Sequence, residues 1–220
     1  MSAAGPGRGG RPGGPRVRID PVSLEVFARA AECPTWPALA EAAQRCVACP
    51  ELAASRTTVV VGDAPAGARL ALVGEAPGAE EDRTGRPFVG KAGVLLDRLL
   101  AEAGLDRFGV AVVNVLQCRP PGNRAPTATE AVRCRGWLER KLHLISPELI
   151  VTLGLSAATA FLGRGVRLAS VRGEVHEVDG RRVLPTYHPS AAIRFGPNGA
   201  PLAALRDDLR TAAGLLTSRT

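Results

Sequence analysis

The chain has 220 residues, 45% of them hydrophobic and only 4% aromatic, enough for one well-buried α/β domain and too few to call for two. No apolar run approaches the roughly 18 to 20 residues that cross a bilayer, and the N-terminus is Gly, Pro and Arg rather than a charged cap on an apolar h-region, so neither a membrane span nor a secretory leader is expected and the expected address is the bacterial cytoplasm. A net charge of +7 favours an anionic partner such as nucleic acid, although only Lys91 and Lys141 of the 28 basic residues are lysines, an arginine skew that a GC-rich genome also produces.

Residues 1–18 (with GPGRGGRPGGPR) show no apolar periodicity and are expected to be a disordered tail, leaving 19–220 as a single domain. Helices are expected over Pro21–Ala31 and from Thr35 or Trp36 toward Arg45. The pattern then alternates. RLALVG (69–74) reads as a strand and AGVLLDRLLAEAG as a helix ended by Gly104; VAVVNVL (110–116) reads as a strand, followed by a Pro/Gly loop and a helix opening on the capping box Thr127-x-x-Glu130. LIVTLG, the short helix LSAATAFLG, a weaker β region from Val166 through RRVLP, and the helix PLAALRDDLRTAAGLL complete the chain. Continuous apolar strands alternating with helices predict a mostly parallel sheet covered by helices on both faces. Ligands of such sheets bind beyond the carboxyl ends of the strands, where Gly74 and Asn114 fall.

Four of the five cysteines fall as Cys46-x2-Cys49 and, after 68 intervening residues, Cys118-x15-Cys134, while Cys33 stands apart. In a reducing compartment this argues for metal chemistry rather than a disulfide. Four thiolates can close a zinc site or hold an iron–sulfur cluster, and the wide second spacing suits a cube with separated ligands; two unrelated core cysteines at Cys118 and Cys134 remain the alternative.

The segment GEAPGAEEDRTGRPF carries neither a Walker Gly-Lys-Ser/Thr ending nor a dinucleotide fingerprint. Glu75, Glu80, Glu81 and Asp82 would repel a phosphate, so close backbone approach here suits a neutral or cationic group, with Phe88 as a flat face for a planar heterocycle or as a core residue. Asn114 interrupts an apolar strand with a donor and an acceptor in one plane, able to bond protein or the edge of a pyrimidine. His188, in PTYHPS, is better set for chemistry than His143 or His176.

These residues together resemble the family 4 uracil-DNA glycosylases, the iron–sulfur branch of the uracil-DNA glycosylase superfamily. The matching text is GEAPGAEEDRTGRPFVGKAGVLLD, NVLQCRPPGNRAPTATE, PELIVTLG and HPS, with Cys46 and Cys49 upstream. The resemblance implies that superfamily's fold, a 4Fe-4S cluster (with zinc as the alternative) on Cys46, Cys49, Cys118 and Cys134, and a monomer acting on uracil-containing DNA with no membrane role. It implies that Phe88 stacks on uracil, that Asn114 reads its polar edge, that His188 bonds the oxygen gaining charge, and that Gly74, Glu75, Gly78 and Ser190 line the base and sugar-phosphate. Glu81 is the favoured carboxylate for activating water, with Glu75 close behind and Asp82 weighed, because Ala76 stands where the better-known branch keeps an Asp. Ile193 or Arg194 could wedge into the gap left by the base. KAGVLLD lacks the His and the basic insertion of a covalently trapping relative, so turnover is expected. The alternatives are a glycosylase for another deaminated base, or a non-catalytic iron–sulfur module that binds nucleic acid.

Overall fold

The structure is a computed structural model and describes residues 20–217; the tail expected over 1–18 lies outside them. Five strands, β1 (Leu70–Gly74), β2 (Ala111–Asn114), β3 (Leu149–Leu153), β4 (His176–Val178) and β5 (Arg181–Thr186), form one sheet in the order β2-β1-β3-β5-β4. β1 runs parallel to β2 and β3, and β3 to β5; only β4 is antiparallel. It joins β5 through Asp179-Gly180, both at positive φ (49° and 76°), as a two-residue hairpin turn requires.

Every residue of β1 and β3 is buried, because alternate side chains enter two separate cores. Leu70, Leu72, Leu149 and Val151 pack with α5 (Lys91–Glu102) and α10 (Ala200–Thr217), while Ala71, Val73 and Ile150 pack with α6 (Ala128–Ile145) and α7 (Leu155–Leu162). A third core joins α1 (Pro21–Ala31) and α2 (Trp36–Gln44) to the far side of α6 around the fully buried Trp137. α1 can lie this close because Gly136 has no β-carbon: one placed there would stand 2.8 Å from the backbone nitrogen of Phe27.

Start signals of the helices act as expected. Asp20 accepts the N–H of Ser23 at 2.7 Å ahead of Pro21, and Thr127 and Glu130 exchange both bonds of the capping box. Two short helices, α3 (Pro50–Ser55) and α4 (Ala79–Thr84), were not among the expected elements. Glu80, Glu81 and Asp82 occupy the first turn of α4, where the helix dipole favours negative charge. The strand expected over 110–116 ends at Asn114, yet Val115 and Leu116 still donate to the carbonyls of Gly74 and Glu75 at 2.9 and 3.0 Å. The β region expected from Val166 opens instead with a helical turn, α8 (Leu168–Val171). α9 (Pro189–Phe195) follows β5 directly. Among the described residues no helix is long and apolar enough to cross a membrane.

Candidate active site and cysteine centre

The carboxyl ends of β1, β2, β3 and β5 deliver Gly74, Asn114, Gly154 and the Tyr187–His188 step to one edge of the sheet. Gly74 is the floor. A β-carbon on it would lie 2.3 Å from Asn114 Oδ1 and 2.6 Å from Cζ of Phe88, so these three groups converge in space that any side chain would fill. Asn114 is buried and its Oδ1 has no hydrogen-bond partner among the described residues. Such an acceptor is costly unless a ligand supplies the donor.

Phe88 adopts a left-handed φ of 53°, an uncommon state for an aromatic residue. Two features hold it. A β-carbon on Gly93 would collide with the Phe88 carbonyl at 1.7 Å, so α5 packs directly against this turn. The Glu81 carboxylate accepts three backbone N–H groups, from Gly78 (3.1 Å), Val89 (2.9 Å) and Gly90 (2.8 Å), and thereby ties both flanks of the loop together. Asp82, also buried, accepts the N–H groups of Thr57 and Thr58. The Glu75 side chain instead accepts the hydroxyl of Ser156 at the start of α7.

The ring of His188 stands 5.6 Å from that of Phe88, tilted by 34°, and its Cβ would meet a β-carbon on Gly154 at 3.0 Å. Ser190 brings its N–H to His188 Nδ1 at 3.1 Å and its hydroxyl to the same atom at 2.8 Å. Because a backbone N–H can only donate, Nδ1 is the acceptor and the ring proton sits on Nε2. Burial pushes the His188 pKa down to about 4, against the opposing pull of Glu81. The imidazole is therefore a neutral donor at pH 7. Glu75, Gly78, Glu81, Phe88, Asn114 and His188 thus belong to one constellation, with Asp82 turned to the 57–58 segment; Ser156 and Gly154 join it unexpectedly, although their place just after β3 was the available signal.

Cys46, Cys49, Cys118 and Cys134, all free thiols, line a single recess with Leu52, Leu116 and Trp137. They come from the loop before α3, the loop after β2, and α6, so the recess joins the N-terminal helices to the sheet. Arg56 donates to Cys118 Sγ at 3.2 Å and the Gln117 amide faces Cys134 Sγ at 3.9 Å. Burial pushes the Cys49 and Cys134 thiols up to about 12 and raises that of Cys118. Trp137 Nε1, Gln117 Oε1 and Lys141 Nζ are buried without hydrogen-bond partners among the described residues. Four soft sulfur donors lining one recess, with the unpartnered indole N–H of Trp137 in its wall, fit a bound anionic group. Among the described residues no three His, Cys, Asp or Glu side chains converge in the way that a single metal ion needs.

Residues 61–210 match the family model described as the uracil DNA glycosylase superfamily. The chain is 44% identical over 77% of its length to the type-4 uracil-DNA glycosylase of Thermotoga maritima, covering 88% of that protein. It is 43% identical to that of Sulfurisphaera tokodaii over 65% of this chain and 69% of the relative, and 37% identical to that of Saccharolobus solfataricus over 82% of this chain and 86% of the relative.

Proposed function

The chain belongs to the uracil DNA glycosylase superfamily, and from that premise we propose that it is a monofunctional glycosylase that hydrolyses the N-glycosidic bond of uracil in DNA. The observation that carries the reading is the space bounded by Gly74, Phe88 and Asn114, with a buried amide oxygen left unpaired beside it. A base inside a duplex cannot reach such a space, so uracil is flipped out, at a cost of a few kcal/mol. Phe88 then stacks on the ring, and Asn114 Oδ1 accepts the ring N–H that its own chain does not provide. Gly74 and Gly78 allow close backbone approach, and Ile193, exposed on α9, or Arg194 would fill the gap in the stack.

As the bond from the sugar C1′ to uracil N1 breaks, the base gains negative charge and the sugar becomes oxocarbenium-like. His188, neutral with its proton on Nε2, donates to the base oxygen as that charge develops, an interaction stronger in the transition state than in the ground state. We assign water orientation to Glu75 rather than to Glu81, because three backbone N–H groups engage the Glu81 carboxylate and make it the clasp of the Phe88 loop. Water adds its oxygen to C1′, and its proton leaves toward Glu75.

Cys46, Cys49, Cys118 and Cys134 would hold a 4Fe-4S cluster, which when bound supplies a cross-link between the N-terminal helices, the loop after β2 and α6. The test is base release from oligonucleotides containing uracil, hypoxanthine or xanthine, single-stranded and paired, with iron and acid-labile sulfide measured on the same protein. Uracil release giving alkali-labile sites is expected; binding without any base release overturns the assignment, and preferential release of a purine replaces its substrate.

A further inference from the structure

Lys141 is fully buried, and its ammonium has no hydrogen-bond partner among the described residues. An isolated buried ammonium is among the costliest groups to enclose in a protein, so a charge of opposite sign is expected beside it. The buried carboxylates are engaged elsewhere: Asp82 with Thr57 and Thr58, Glu130 with Arg124, Asp208 with Arg172. Position in the helix points to the counter-charge. Lys141 follows Cys134 by seven residues on α6, which places the two on one face, and helical side chains slope back toward the N-terminus, so the ammonium is carried toward the Cys134 end. Burial pushes the Lys141 pKa down to about 7, and the charges of Cys134 and Cys118 pull against that shift.

Two further donors flank the same recess. Arg56 already donates to Cys118 Sγ, and the buried indole N–H of Trp137 is unpartnered. Four thiolates around an iron–sulfur cube carry net negative charge that the surrounding dipoles and cations must balance. A methionine would fill the Lys141 volume without the cost of a buried charge. The charge therefore has a use only when the recess holds an anion.

We propose that Lys141 is the buried counter-cation of the four-cysteine centre, holding the anionic iron–sulfur group in the fold and favouring its more reduced form. This rests on the cluster reading above. The test compares the wild-type chain with Lys141→Met, each both loaded and stripped of iron. In the loaded protein the variant should release iron to a chelator about 10-fold faster, and its reduction potential, with one electron entering from an electrode and no ligand exchanged, should fall. In the stripped protein the sign should reverse, the variant melting at a higher temperature than wild type because an unbalanced ammonium has gone. A variant that melts lower in both states, or that keeps the wild-type release rate and potential, overturns the proposal. A wild-type chain purified without iron and sulfide overturns the cluster reading as well, so the two failures are told apart.

Discussion

Ser190 donates its backbone N–H to Nδ1 of His188 at 3.1 Å, and that one bond decides which ring nitrogen carries the proton. With burial pushing the His188 pKa down to about 4, the ring stays neutral across the range where an ordinary histidine titrates. In the ring signals of an NMR titration we expect His188 to hold the Nε2–H tautomer from pH 8 to about pH 5 and to protonate near 4. The sign for stability follows: the folded pKa lies below the unfolded one, so this group costs nothing above about pH 6.5 and destabilises the fold as pH drops from there toward 4. Protonation would also set Nδ1–H against the Ser190 N–H. His188→Ala should lower the single-turnover rate of base release about 100- to 1,000-fold, and a ring titrating near 6.5 would contradict this picture.

Gly74 tests the pocket by filling it. It lies in regular strand, so alanine meets no backbone strain, but the new methyl would stand 2.3 Å from Asn114 Oδ1 and 2.6 Å from Phe88 Cζ. Gly74→Ala should abolish uracil release while leaving affinity for uracil-free DNA within about 2-fold and costing about 1–3 kcal/mol in urea unfolding. Retained activity would place the base elsewhere.

The two candidate carboxylates should separate kinetically. Glu81→Gln replaces one accepting oxygen by an amide that faces backbone N–H groups, so the loop carrying Phe88 loosens: KM rises, and stability falls by about 1–3 kcal/mol. Glu75→Gln keeps a partner for Ser156 and should lower kcat with KM and melting temperature nearly unchanged. The reverse pattern would return the water to Glu81.

Much of this arrangement was legible in the chain. Gly74 stood out because it ends an apolar run and Asn114 because it interrupts one, and a parallel sheet places its strand ends at the binding edge. The task of Glu81 was not legible, since its partners Val89 and Gly90 return to it only after Phe88 takes a left-handed turn. Asp179-Gly180 carries a hairpin signal, but the flanking β region is too weakly apolar to mark its two strands. Nothing in the sequence singles out Lys141 as buried, because its burial depends on the packing of α1 and α2 against α6. Ser156 could be coupled to Glu75 only by the parallel pairing of β1 with β3.

Asp208 on α10 offers a test at a distance from the pocket. It is 2% exposed, receives two bonds from Arg172 (3.0 and 2.5 Å) and one from the Thr186 hydroxyl (2.5 Å). Thr186 ends β5 two residues before His188, its carbonyl accepts the N–H of Gly154, and Arg172 lies 5.9 Å over the ring of Tyr187. The ion pair therefore anchors the strand end from which His188 projects. Removing Arg172 leaves the Asp208 charge enclosed, so Arg172→Met should cost about 3–5 kcal/mol, more than the double change Arg172→Met with Asp208→Leu, in which neither charge remains. Stability and catalysis should part company here. The double variant, unfolded by urea, should recover most of the lost stability, yet its base-release rate should stay below wild type because nothing then accepts the Thr186 hydroxyl. Recovery of both together would reduce the pair to packing alone.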